Sequence, residues 1–228
     1  MGALTAETIV SEGLLAAGDT SLTTRGLVWL NRWLRSAYRA WPWPFLYRRG
    51  SLLALSAGTT ALSVGNGALI TPPIMRIEDP LWVYKSDKTA RQRARVVPLH
   101  DGDIDQDVDL IDTTLNRGMP QQFRVRADTA VFGKWSLIPW PVPDQAYLVA
   151  LDYHELPADV LAANTPLYPN DETMMKAVEA AALRYNKEWD AYGLATQELR
   201  AMSADDRVAF GSVAGLNDRV VLDPNTFK

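Results

Sequence analysis

The chain has 228 residues, 47% of them hydrophobic and 22% charged, so it can bury a core as one large domain or two small ones. It has no cysteine, which excludes disulfides, a thiol nucleophile and thiolate metal sites. The net charge of −4 disfavours a generally basic protein that wraps DNA, and no apolar run approaches the ~20 residues needed to span a membrane.

Two helices are predicted first. Thr5 can cap a helix that runs through Ala16 and ends at Gly18, and Thr23 can cap a second helix that reaches Ala40. Apolar residues recur in the second helix at steps of three and four, and form one stripe: Leu27, Leu30, Leu34, Ala37 and Trp41. Trp29 and Trp33 form a separate stripe, which is typical of a helix with two neighbours.

A stretch of aromatic residues and prolines follows the second helix. Pro42 and Pro44 forbid further helix, because proline has no N–H and restricts the residue before it. We expect Trp41, Trp43 and Phe45 to form a largely buried structural junction, either between helix and sheet or under a neighbouring subunit.

The next region has the sequence pattern of a β-domain. Short runs rich in Val, Leu, Ile and Trp alternate with turn signals, and the Gly65-Asn66-Gly67 turn is the strongest of these. The predicted strands are Ser51–Leu55, Ala61–Val64, Ile74–Tyr84, Arg95–Leu99, Gln122–Arg126, Lys134–Ile138 and Ala146–Tyr153.

A third region begins with a helix start at Pro169 to Glu172, where acidic residues suit the helix dipole. Apolar and aromatic residues then follow at helical spacing: Met174, Val178, Ala181, Tyr185, Trp189 and Tyr192. Gly193 can bend or end this helix, and the helical stripe ends near Met202. The predicted fold class is α+β: a helical bundle of N- and C-terminal helices with an inserted antiparallel β-sheet or sandwich. Its expected parts are N-terminal helices over 1–46, a β-rich region over 47–156, a C-terminal helical region over 157–203 and a tail over 204–228.

Signals for catalysis or metal binding are weak. The aspartates from Asp101 to Asp112 lack the glycine and the final glutamate of a calcium loop, so a solvated acidic loop is the better interpretation. The basic segment from Lys85 to Arg95 could touch phosphate or an acidic partner, and is otherwise an exposed hairpin tip. His100 and His154 are isolated. We expect no enzyme activity, no cofactor and no metal.

The order of several short motifs resembles the head-to-tail adaptor, or connector, proteins of tailed bacteriophages. The helix over 27–46 and its Trp-Pro-Phe-Leu closure resemble the second helix of that family. Four further motifs also resemble it: Ala57-Gly58-Thr59, Pro72-Pro73-Ile74 with Ile77-Glu78-Asp79, Gly118 to Phe123, and Leu137 to Asp144 followed by Tyr147 and Tyr153. The alanine-rich helix from Met174 then stands in the expected place.

This resemblance implies a structural virion protein. Such adaptors form a ring, expected to hold about twelve copies, below the portal at the head–tail neck of the virion, after assembly in the host cytoplasm. The implied partners are the portal protein, tail, nozzle or tail-tube proteins, further copies of the chain, and double-stranded DNA that passes without sequence-specific binding. No membrane is implied.

The tail over 204–228 is too apolar for a spacer that touches nothing. We expect it to be extended or poorly ordered in the free subunit and to dock on the portal or on a neighbouring subunit; the alternative is that it folds back on its own subunit. The candidate partner-binding residues are Phe210, Leu216, Arg219, Val221, Leu222, Pro224 and Phe227.

Two other functions stay open at this point. One is another virion ring, such as a tail terminator, a neck protein or a baseplate component. The other is a carbohydrate-binding β-module in which Trp135 and Trp140 would be sugar platforms.

Overall fold

The structure is a computed structural model that describes residues 4–98 and 117–211. The chain divides into two compact units, one formed by Met1–Pro44 with Asp159–Lys228 and the other by Phe45–Ala158. The described residues contain four α-helices, all in the first unit, and eight strands, all in the second. Among them, no helix has the length and apolar character to cross a bilayer.

The helical unit contains α1 (Ala6–Ala16), α2 (Thr23–Ala40), α3 (Asp171–Tyr185) and α4 (Trp189–Gly211). Side chains cap two of these helices where the sequence predicts a start. The Thr5 hydroxyl accepts from the Thr8 amide, and the Asn170 side chain accepts from the Glu172 amide.

Glycine allows α1 to approach its neighbours closely. A Cβ at Gly13 would lie 2.6 Å from the Met175 carbonyl oxygen of α3, and a Cβ at Gly26 would lie 2.5 Å from Val10 Cγ1. The buried stripe of α2 consists of Gly26, Leu30, Leu34 and Tyr38, and α1 buries Ile9, Val10 and Leu14. The helices are therefore held by tight packing at positions that have no room for a side chain.

The last two helices differ from their predicted limits. The expected stripe from Met174 to Tyr192 is interrupted after Tyr185, where Lys187 adopts a left-handed conformation with φ 65°. Gly193, expected to bend or end a helix, lies within α4. That helix continues beyond Met202 to Gly211, so residues 204–211 of the expected tail are helical, and 212–228 lie outside the described residues.

The second unit contains a sheet of eight strands. They are β1 (Tyr47–Leu55), β2 (Leu62–Val64), β3 (Ile74–Ile77), β4 (Leu81–Lys85), β5 (Arg91–Pro98), β6 (Gln122–Ala127), β7 (Trp135–Trp140) and β8 (Tyr147–Glu155). Every predicted strand overlaps one of these, but the predicted Ile74–Tyr84 strand is two strands. Pro80, which has no N–H to donate, lies between them.

The predicted fold class is wrong. The sheet is mixed, follows the order β1-β8-β4-β5-β6-β7-β2 with β3 also paired to β8, and is nearly closed like a barrel. Its β5–β6 pair is parallel, a pairing that a tight hairpin turn cannot connect. The architecture is an eight-stranded barrel-like sheet and four helices, not a helical bundle with an inserted antiparallel sheet or sandwich.

The sheet encloses its own hydrophobic core, so it is a compact unit in its own right. Alternate residues of the strands point inward, among them Leu81, Val83, Phe123, Val149 and Leu151, all fully buried. Each of these residues belongs to the second unit, so the burial that stabilises the sheet comes from its own strands.

The predicted tight turn follows β2. Gly65, Asn66 and Gly67 all have positive φ, at 83°, 45° and 84°. A Cβ at Gly65 would also lie 2.2 Å from the Gly133 carbonyl oxygen, so this position needs glycine for both backbone conformation and space.

Two helical glycines should respond to alanine in opposite directions. We expect Gly13→Ala to lower the free energy of unfolding by about 1–3 kcal/mol, because its methyl group would press on the backbone of α3. The matched control is Gly193→Ala, where nothing lies within 4 Å, and we expect a gain of about 0.5–1 kcal/mol from helix propensity. Thermal and denaturant unfolding would measure both; a stabilised Gly13→Ala would contradict the close approach.

Candidate functional site

The helical unit carries an open groove of about 710 Å³. Helices α2, α3 and α4 and the turn between the last two provide its walls, so the interruption at Lys187 helps to shape it. The lining residues are Trp29, Arg32, Trp33, Ala177, Ala180, Ala181, Arg184, Tyr185, Lys187, Trp189, Tyr192, Thr196 and Leu199.

Aromatic rings dominate the mouth of this aromatic groove. Trp29 and Tyr185 lie with their ring centroids 5.7 Å apart, and Trp189 and Tyr192 with theirs 6.3 Å apart. Tyr185 is 49% exposed and Trp189 is 61% exposed. Exposed tryptophan and tyrosine side by side are unusual on a surface that meets only water, and they are the residue types enriched in protein interfaces.

Cationic side chains surround these rings. Arg32, Arg184 and Lys187 line the groove and are exposed, and the Arg25 guanidinium carbon lies 4.6 Å from the Tyr185 ring centroid. The cation–π contact holds Tyr185 at the rim. The groove therefore combines large apolar rings with positive charge, which suits a partner segment that is apolar with acidic edges.

Inside the helical unit, an aromatic stack forms around the buried Tyr168. Tyr168 makes edge contacts with Trp33 at 4.9 Å and with Trp43 at 5.4 Å between ring centroids. Trp43 is 1% exposed and donates its indole N–H to the Ala37 carbonyl at 2.9 Å. The second stripe of α2 thus connects the exposed groove to a fixed core.

A buried carboxylate ties α4 to the same stack. Asp206 accepts hydrogen bonds from the Tyr168 hydroxyl at 3.1 Å, the Asn170 amide at 2.9 Å and the Thr173 hydroxyl at 2.7 Å. Burial, and secondarily the Asp206 charge, raises the pKa of Tyr168, which keeps that hydroxyl protonated as a donor. Sequence reasoning missed Asp206, since one acid in a polar helix end gives no signal of burial.

The predicted junction residues have different environments. Trp43 is buried, whereas Trp41 and Phe45 are half-buried. The Arg207 guanidinium carbon of α4 lies 5.9 Å from the Trp41 ring centroid. Of the predicted partner-binding residues, Phe210 is half-buried near the end of α4; the other six, Leu216, Arg219, Val221, Leu222, Pro224 and Phe227, lie outside the described residues.

The remaining polar candidates show structural contacts. Buried His154 places Nδ1 2.9 Å from Glu78 Oε1. Burial acts to raise the pKa of Glu78, but His154 and Arg76 outweigh it and hold that pKa below its usual range. Within residues 4–98 and 117–211 no three His, Asp or Glu side chains are grouped to hold a metal; His100 and the predicted acidic loop lie outside those ranges.

The proposed sugar platforms occupy strand β7. Trp135 packs against the sheet core and donates its indole N–H to the Ile74 carbonyl at 2.8 Å, and Trp140 is half-buried. A ring that packs on a core presents little face to a sugar, so Trp135 does not favour the carbohydrate-binding interpretation.

No protein-family model and no curated protein matches the sequence.

The stability of the helical unit should depend on Trp43 and not on Trp189. We expect Trp43→Ala to cost about 3–5 kcal/mol of unfolding free energy, because it leaves a cavity beside Tyr168. Trp189→Ala, which truncates a ring that is 61% exposed, should stay within about 1 kcal/mol of the parent. Chemical denaturation followed by circular dichroism measures both. Equal losses would contradict the distinction between the buried Trp43 and the exposed Trp189.

Proposed function

We propose that the chain is a structural virion protein: a head-to-tail adaptor that forms a ring below the portal, joins the capsid vertex to the tail and continues the DNA channel. The proposal starts from the resemblance of its ordered motifs to phage adaptor proteins. The observation that carries it further is the aromatic groove, a surface of exposed rings and positive charge that is suited to protein contact.

The proposed occupant of the groove is a neighbouring copy of this chain. A ring uses heterologous interfaces, in which a concave surface of one subunit receives a different surface of the next. Trp29, Tyr185 and Trp189 would provide the apolar centre of such an interface, where a few aromatic anchors supply most of the binding free energy. Arg184 and Lys187 at the edge would fix the orientation of the neighbour through charge.

Self-association should therefore depend on Trp189. We expect Trp189→Ala to weaken assembly about 30-fold or more, corresponding to about 2 kcal/mol for a central interface tryptophan. Leu69→Ala is the matched control, because Leu69 is 58% exposed but belongs to the other unit and does not line the groove. Sedimentation velocity with and without portal protein measures the assembly. A ring of about twelve copies on the portal is the expected product.

Two results would contradict this proposal. Assembly on the portal that is unaffected by Trp189→Ala would exclude the aromatic groove as the subunit interface. A chain that stays monomeric and never binds portal would exclude the adaptor function itself, and association with tail proteins alone would favour a tail terminator, neck or baseplate ring.

The C-terminal tail can be tested separately for portal binding. The deletion should start after Gly211, because a deletion from residue 204 would also remove Asp206. That would leave the buried hydroxyls of Tyr168 and Thr173 and the half-buried Asn170 amide without their acceptor. We expect deletion of 212–228 to leave the circular dichroism spectrum nearly unchanged and to abolish portal binding. Deletion of 204–228 is the contrasting variant and should lower the melting temperature. Retained portal binding without residues 212–228 would defeat the docking role of the tail.

A further inference from the structure

The outward face of strands β4, β5 and β6 carries an array of arginines. Side chains of β5 alternate, so that Ala94 is buried in the core while Arg91, Arg93 and Arg95 are exposed on the opposite side. From the sequence, the segment from Lys85 to Arg95 could touch phosphate or an acidic partner, or be an exposed hairpin tip. The tip comprises only residues 86–90, and all three arginines lie within the strand. Being part of a paired strand gives them a fixed spacing.

Trp82 of β4 positions two of the three guanidinium groups. It pairs directly with Arg93 in the sheet, and the guanidinium carbons of Arg93 and Arg91 lie 4.9 Å and 5.0 Å from its ring centroid. A guanidinium held against a ring has lost rotamer freedom before any ligand arrives. The array therefore needs little further ordering to bind an anion.

These arginines have no carboxylate partner within the described residues. No ion pair is formed by Arg91, Arg93 or Arg95 with any residue in 4–98 or 117–211. On the neighbouring strand β6, the outward positions hold Gln122, Arg124 and Arg126 and add no acid to this face. Arg124 and Arg126 make contacts of their own, so only the three arginines of β5 are assigned to the array.

From this geometry we propose that the arginine array of Arg91, Arg93 and Arg95 binds the phosphate backbone of a nucleic acid. Alternate residues of a strand lie about 6.6 Å apart, so the three arginine side chains leave the backbone in one row on one face of the sheet. Such a row matches a polymer with one anion per repeating unit better than the irregular charges of a folded acidic protein. Arginine binds phosphate through paired N–H donors.

The binding is independent of base sequence. The ring of Trp82 is already covered by Arg91 and Arg93, so it offers no free platform on which a base could stack. Contacts made to phosphates alone position a nucleic acid without reading it. The proposal stands on the charge arrangement of the sheet and does not depend on the adaptor role.

The test is a fluorescence anisotropy titration of the full chain against a labelled 25-base-pair DNA of arbitrary sequence at several salt concentrations. Three phosphate contacts predict a slope of about −3 for the logarithm of the binding constant against the logarithm of salt concentration, at about −0.9 per contact. Arg95→Gln should reduce the slope by about one, and replacement of all three arginines by Gln should reduce DNA affinity at least tenfold at 50 mM salt. A second DNA of different sequence should bind equally.

The matched control is a triple Gln variant of Arg39, Arg49 and Arg200. These exposed arginines lie outside β5 and do not line the aromatic groove, and the variant changes the net charge by the same amount. Circular dichroism must show that each variant is folded. If the triple β5 variant is not folded, Arg95→Gln alone tests the proposal, because it leaves both contacts to Trp82 intact.

Three outcomes would overturn the proposal: unchanged affinity when the three β5 arginines are replaced, equal loss in the control, or salt slopes near zero. Tighter binding of poly-glutamate than of DNA, with the same dependence on the β5 arginines, would also overturn it and assign the array to an acidic protein. Portal binding is measured in a separate experiment, so failure here leaves the adaptor proposal standing.

Discussion

The antiparallel pairing of β1 with β8 is the constraint on which the rest of the structure depends. These are the strands by which the chain enters and leaves the sheet unit, and their register sets Tyr47 opposite His154. Side chains strengthen the pair: the Tyr47 hydroxyl donates to Asp152 at 2.8 Å, and Arg48 pairs with Glu155. Burial, followed by the hydrogen bond to Asp152, raises the pKa of Tyr47 to about 12, so the donor is retained at neutral pH. The first and last strands of the unit are thereby held side by side, although they lie far apart in the sequence.

Within the helical unit, some aromatic residues stabilise the fold and others are exposed for binding a partner. Trp43 and Tyr168 are buried, and Tyr168 is hydrogen-bonded to Asp206 of α4. Tyr185 at the end of α3 and Trp189 at the start of α4 are 49% and 61% exposed. Trp33, which lines the groove, packs against Tyr168, so part of the groove is ordered before a partner binds and less conformational entropy is lost on binding. This arrangement gives the adaptor proposal its physical basis.

Sequence periodicity predicted much of the local structure and little of its assembly. The alternating residues of β8 and the three- and four-residue steps of α2 located those elements, because burial on one face leaves a period in the sequence. The parallel β5–β6 pair could not be predicted, since inward and outward residues alternate identically in parallel and antiparallel strands. The interruption at Lys187 was also hidden, because lysine gives no sign of a left-handed backbone. For the site, the sequence pointed to Trp29 and Trp33 as a second contact surface and to the segment from Lys85 to Arg95 as a possible phosphate contact. It gave no sign of the buried acceptor Asp206, nor that Trp82 holds Arg91 and Arg93 on one face of the sheet.

The glycine contacts of α1 also bear on how the chain folds during synthesis. A helix of 11 residues that contains glycine is marginal by itself, because it is short and glycine disfavours helix by about 1 kcal/mol relative to alanine. Gly13 instead contributes by letting α1 approach the backbone of α3, whose residues begin only at Asp171. On the ribosome α1 therefore emerges together with α2 but long before α3, whereas the sheet over Phe45–Ala158 has its core within one continuous stretch. We infer that the sheet can fold before the helical unit is complete, and that α1 makes its close contact with α3 only after the sheet has been synthesised.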